Sequence, residues 1–143
     1  AFAASLSRGL SEGGITAPLV AVQTEGCAPL ARAWASAQSD STAAAHWTQH
    51  MWPWEKEPVS LADGILDDET YDWVADIAQI QRTGGKVVVA SESDVVTASQ
   101  IALQLTAIDA SPTGTAGLAG LLAMRSELNS AGHVAVVLSG IRR

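Results

Sequence analysis

The side chains able to do chemistry in this chain gather in a few places. Ser139 follows the apolar run Val134-Ala135-Val136-Val137-Leu138. Ser111-Pro112 opens a stretch with glycines at 114, 117 and 120, and Asp63-Gly64 sits in a turn-rich connector. A helix N-terminus offers free N–H groups to an anion or polar ligand. A hydroxyl at the carboxyl end of a strand lies where open α/β sheets place ligands. On spacing alone the same residues also read as caps, packing glycines and a strand end. His46 and His50 stand four apart, as two metal ligands on one helix face would. No carboxylate or cysteine completes a recognisable set around them, so no metal site is assigned. Lys56, inside Glu55-Lys56-Glu57, and Lys86, opening an apolar run, are the only lysines. A Schiff-base lysine needs a desolvated or cation-rich pocket, which neither position promises.

These residues need a scaffold, and the hydrophobic pattern predicts one. Phe2, Leu6 and Leu10 recur every four residues, giving a first helix over about 1–11, stopped by Gly13-Gly14. Leu19 to Val22 is a strand, and Pro29 begins a second helix at the position that tolerates proline. Val87 to Val89 is another strand. Before it, a helix with acidic residues at Asp67 to Glu69 near its start buries Trp73, Ile77, Ile80 and Val74. After it, Ser91 with Asp94 three residues on caps a helix that buries Val95, Ala98, Ala102 and Leu105. Ser111 with Pro112 starts a glycine-bearing helix running to about Asn129. His133 to Leu138 forms a third strand, buried on both faces. Alternating helices and strands give an α/β fold, a three-layer αβα sandwich on a mostly parallel sheet. Three strands leave two open edges.

Composition narrows the function. The chain has 143 residues, one domain's worth, and 48% hydrophobic residues supply a core. A net charge of −7 with eight Lys and Arg argues against nucleic acid. No apolar run reaches the ~20 residues of a membrane span, and one cysteine, Cys27, fits a reducing cytoplasm. His46 to Trp54 holds three tryptophans in eight residues, Trp47 to Trp54, a structural or partner-binding composition. The helix already under way at residue 1 points to a piece of a longer protein.

Four segments together carry a resemblance. Ala1 to Leu10 looks like the helix after a glycine-rich phosphate loop. Val20-Ala21-Val22-Gln23-Thr24-Glu25-Gly26-Cys27-Ala28-Pro29 is similar to "aVqaEGaaP", Ser60 to Ile65 to "SIADGI", and Ser111 to Gly114 with Leu138-Ser139-Gly140 to "EPSGA" and "LSG". In this order the chain resembles the C-terminal half of the fold-type II pyridoxal-phosphate enzymes. Threonine synthase stands nearest; threonine dehydratase and serine racemase are more distant. The resemblance implies a cytoplasmic, homodimeric lyase acting on a small amino-acid substrate, by β/γ-elimination or replacement on a hydroxy amino acid or its phosphate ester. It implies pyridoxal 5'-phosphate as cofactor, contacted by Ser139 at the pyridine nitrogen and by Ala62, Asp63, Gly64 and Thr113. No catalytic residue lies in this chain, because the Schiff-base lysine and phosphate loop fall upstream. The chain on its own is then inactive. Where the family often has Glu, this chain has Ser111. The alternative is a non-catalytic interaction or regulatory module of the same descent, with the tryptophans as its partner surface.

Overall fold

A computed structural model describes residues 2–128 and 132–141. Helix α1, Phe2–Glu12, is followed by strand β1, Val20–Thr24, and helix α2, Pro29–Ala37. A 3-10 turn over Ala43–His46 runs into the single-turn helix α3, Trp47–His50. Another 3-10 turn, Asp63–Ile65, precedes helix α4, Trp73–Thr83. Strand β2, Lys86–Ala90, then leads to helices α5, Glu92–Thr106, and α6, Ala116–Ala123.

The two strands pair in parallel, Val20 opposite Lys86 through Thr24 opposite Ala90. Parallel strands need both faces covered, because the crossover lays helices on them. Residues alternate across this pair accordingly. Ala21 and Val87, register partners, pack on the cluster of Leu30, Ala33, Ala37, Met51, Trp73 and Ile77 from α2, α4 and the end of α3. Val22 points to the other side, against Gly120 of α6, in a cluster built on Ala62, Ala90, Val95, Ala98 and Ala119. The result is an αβα sandwich around a short parallel sheet.

Local signals place the helices. Pro29 occupies the first turn of α2. Ser91 caps α5 with a reciprocal box: its hydroxyl accepts the Asp94 N–H at 3.2 Å and the Asp94 carboxylate accepts the Ser91 N–H at 3.3 Å. Ser91→Ala is expected to cost about 1 kcal/mol, the usual worth of such a cap, read as a lowered midpoint in urea. Helix α4 ends on Gly84 at φ 70°, a left-handed residue that glycine adopts without strain.

Four expectations are corrected here. Residues 132–140 form no strand; among the described residues β1 and β2 pair only with each other, and an isolated bridge joins Ala110 to Ile141, just past the segment. That segment lies over α5 and α6, with Val136 and Leu138 lining an apolar groove with Ile101, Leu105 and Leu118, while Val134 and Val137 are exposed. Helix α6 begins at Ala116 rather than Ser111, because residues 112–115 form a turn, and it stops at Ala123; Asn129 lies outside the described residues. Leu105 is 80% exposed, having rotated past the buried stripe of Val95, Ala98 and Ala102. The acidic run at Asp67 to Glu69 lies in the loop before α4, whose first residue is Trp73. Ala1 falls outside the described residues, and α1 runs from Phe2.

The tryptophans of the 47–54 segment are held by contacts within the chain. Trp47 meets the fully buried Trp73 edge-on at 5.4 Å. The Arg32 guanidinium stacks 3.8 Å from the Trp52 ring and 5.3 Å from that of Trp54, bonds the Trp52 carbonyl, and pairs with Glu55 at 2.8 Å. The Trp52 N–H donates to the same Glu55 carboxylate at 2.6 Å. His46 and His50 both face Asp40 Oδ2, at 3.3 and 3.0 Å, and His50 also meets the Ser36 hydroxyl at 3.0 Å. Hydrogen bonds from Thr42 above all, then from His50, hold the Asp40 carboxyl below the usual carboxylate range. Among the described residues no group of three His, Cys, Asp or Glu is arranged to hold a metal.

Asp76 ties α4 to the first turn of α1. It is 5% exposed on α4, and its carboxylate takes the Ala4 N–H at the start of α1 while Oδ1 has no partner. Burial pushes its pKa up, with Asp72 adding to the rise and the Ala4 N–H opposing it. The native state therefore holds this proton more tightly than the unfolded chain does. Stability falls as pH climbs from the ordinary Asp value of about 3.9 through the raised one. Asp76→Asn keeps an acceptor for Ala4 and is expected to flatten that slope, melting higher than the parent at neutral pH and equal to it in acid.

Candidate functional site

The carboxyl ends of β1 and β2 carry Thr24-Glu25-Gly26 and Ser91-Glu92. The Glu25 N–H extends the ladder to the Ala90 carbonyl at 3.0 Å. Its carboxylate accepts the Glu92 N–H at 3.2 Å, so Glu25, given no role by the sequence, fixes the start of α5. Glu92 in turn accepts the Leu61 N–H at 3.1 Å. That bond brings the 60–65 connector over the strand ends, and Gly26 lies so close below Val59 that a Cβ would fall 1.8 Å from its carbonyl oxygen. Cys27 is buried, bonds the Asp67 carbonyl at 3.2 Å, and has its thiol pKa pushed up by burial first and then by Asp68.

Ala62 is fully buried with its side chain in the core, whereas Asp63 and Gly64 are exposed beside it. They meet the 111–114 turn through Thr113. The Thr113 hydroxyl donates to Asp63 Oδ1 at 3.2 Å and accepts the Gly64 N–H at 3.0 Å. The next residue, Gly114, grips the 138–140 segment. Its carbonyl accepts the Ser139 N–H at 3.2 Å, and the Gly140 carbonyl accepts the Ser111 N–H at 2.9 Å. Ser111 is not a helix cap; its hydroxyl accepts the Gly114 N–H at 3.0 Å and so closes the turn.

Five sequence-predicted residues, Ala62, Asp63, Gly64, Thr113 and Ser139, thus lie on three segments joined by one turn. Ser139 is exposed, and among the described residues its hydroxyl has no protein partner. The two outer glycines of the predicted glycine face serve packing: Gly120 fits against Val22, and Gly114 against Gly140. Lys86 lies at the amino end of β2, half-buried and paired with Glu127, while Lys56 is exposed.

This parallel α/β arrangement, with its bound-together loops beyond the strands, belongs to a known family. The model of the pyridoxal-phosphate dependent enzymes matches residues 1–140, and the chain is a member of that family, whose proteins bind pyridoxal phosphate. No curated protein matches it. Among solved structures it is similar to threonine deaminase of T.th., with a TM-score of 0.73 and 21% identity over 98% of this chain and 44% of that one. Maize serine racemase follows at 0.63 and 16%, covering 90% and 34%. Serine racemase from Dictyostelium discoideum stands at 0.55 and 16%, covering 96% and 48%. These likenesses are of fold. The chain spans less than half the length of each.

The residues present suit the family's cofactor. An unpartnered neutral hydroxyl, Ser139, stands at the end of one segment; close-packed glycines let the neighbouring backbone approach. The Thr24 hydroxyl oxygen and Glu92 Oε1, both at the strand ends, are buried with no protein partner, leaving polar atoms there that need one.

Proposed function

We propose that this chain is the ring-binding side of a pyridoxal-phosphate enzyme acting on a hydroxy amino acid or its phosphate ester, by elimination or replacement at the β or γ carbon. The motifs are nearest those of threonine synthase. The carrying observation is the turn at 111–114, which joins Asp63-Gly64 and Ser139 into one cluster with the Ser139 hydroxyl unpartnered.

Bound there, pyridoxal phosphate supplies the electron sink for breaking bonds at the substrate's α carbon. Ser139 would hold the pyridine nitrogen as a neutral group that both donates and accepts, without forcing a proton onto it as a carboxylate would. Gly64, with no side chain, would let the 62–64 backbone lie against ring and substrate. Ser111, neutral where relatives often carry Glu, leaves that flank uncharged. The carrier lysine is neither Lys86, paired with Glu127, nor Lys56, solvated between two glutamates. It comes from protein outside these residues, and the chain by itself neither holds the cofactor covalently nor turns over an amino acid. The intact enzyme is a cytoplasmic homodimer.

The test is to express the chain with its flanking sequence and to follow the visible cofactor band as hydroxy amino acids are added. Ser139→Asp is expected to shift the band and lower turnover, and Ser139→Ala to weaken cofactor binding. If both variants match the parent in band and turnover, Ser139 does not touch the ring.

A further inference from the structure

We infer that Thr113 is the positioning residue of this site, holding the Asp63-Gly64 backbone at a fixed distance from Ser139, and is not itself a contact to the cofactor. The inference rests on the proposed function for its setting, but on hydrogen bonding for its content. A threonine hydroxyl has one proton to donate and two lone pairs to accept with. At Thr113 the proton goes to Asp63 Oδ1 at 3.2 Å, and one lone pair takes the Gly64 N–H at 3.0 Å. With its only proton on Asp63, it has none to offer an oxygen of a bound ring or phosphate while that bond stands.

The methyl group does a second job. A Cβ on Gly64 would lie 2.8 Å from Thr113 Cγ2 and 3.0 Å from Oγ1, so a larger residue there must displace the branched side chain. On its other flank Thr113 adjoins Gly114, whose carbonyl accepts the Ser139 N–H at 3.2 Å. One residue thereby spans the two segments that carry the ring contacts. Threonine is stiff at χ1, which suits it to act as a spacer.

The experiment uses the full-length enzyme that contains this chain, with Thr113→Val, Thr113→Ser and the pair Gly64→Ala with and without Thr113→Ser. Amide hydrogen exchange at Gly64 is measured without cofactor, and pyridoxal phosphate is then titrated into the same samples. Thr113→Val keeps the shape and removes the hydroxyl. It is expected to speed Gly64 exchange and weaken cofactor affinity, each about tenfold, roughly the worth of an ordinary hydrogen bond. The absorption maximum of bound cofactor should not move. Thr113→Ser retains the hydroxyl and should restore both values to within about twofold of the parent, and it should partly rescue Gly64→Ala by removing the methyl clash, a coupling that independent sites lack. Unchanged Gly64 exchange in Thr113→Val, or a shifted absorption maximum with unchanged exchange, overturns the proposal. Should Thr113→Val not fold, the Gly64→Ala pair decides by the presence or absence of rescue. Failure of every sample to take up cofactor refutes the proposed function instead, while Gly64 exchange still decides the role of Thr113.

Discussion

Gly114→Ala is expected to unseat the whole site. An added Cβ would lie 2.2 Å from the Gly140 carbonyl oxygen and 2.7 Å from its amide nitrogen. The obstacle is backbone, so no rotamer change relieves it. To make room, the 138–140 segment must leave the turn, breaking the bonds from Ser111 N–H to Gly140 and from Ser139 N–H to Gly114. Overfilling a packed position costs about 1–3 kcal/mol, and the Ser139 hydroxyl moves with its segment. A urea melt of the chain should show that loss. In the full-length enzyme, cofactor affinity should fall by more than for Thr113→Val, since two segments shift instead of one. A melt within about 0.5 kcal/mol of the parent, the range of ordinary surface substitutions, would show that the contact is not needed.

Trp73→Ala should be the most destabilising single change in the core. Trp73 is fully buried, meets Trp47 at 5.4 Å and His50 at 5.8 Å, and sits in the cluster that covers one face of the sheet. Truncating a buried Trp costs about 3–5 kcal/mol, a large share of the ~5–15 kcal/mol that holds a typical domain. Its indole N–H has no partner. Trp73→Phe therefore gives up no hydrogen bond and should cost well under half as much. Equilibrium unfolding of the two variants, followed by circular dichroism, tests both the size and the order; a Phe variant as unstable as the Ala variant would mean that the N–H has a partner after all.

The sequence carried the fold where local chemistry sufficed. The Ser91–Asp94 box, Pro29 at the start of α2, the left-handed Gly84 and the buried stripe of Trp73, Ile77 and Ile80 all follow from short-range rules. It failed where distant residues decide. A stretch such as Val134 to Leu138 has every property of a buried strand except a neighbour, and pairing cannot be read from one segment. The Ala4 N–H of α1 finds Asp76, more than seventy residues along, and the partner of His46 and His50 is Asp40, outside the helix that their spacing evoked. At the candidate site, the segments that the motifs singled out are hydrogen-bonded to one another through the 111–114 turn. The division of labour within them was hidden, because only coordinates reveal that Thr113 has already committed its proton or that Glu25 braces α5.

The apolar segment near the end of the described chain has a practical consequence for anyone handling the protein. Val134 is 58% exposed, Val137 45% and Ile141 71%. The stretch from Val134 to Ile141 holds three valines and no charge or proline. Such a ribbon offers a template to the same ribbon on another molecule. Samples of this chain alone are therefore expected to turn turbid as concentration rises, which light scattering would read.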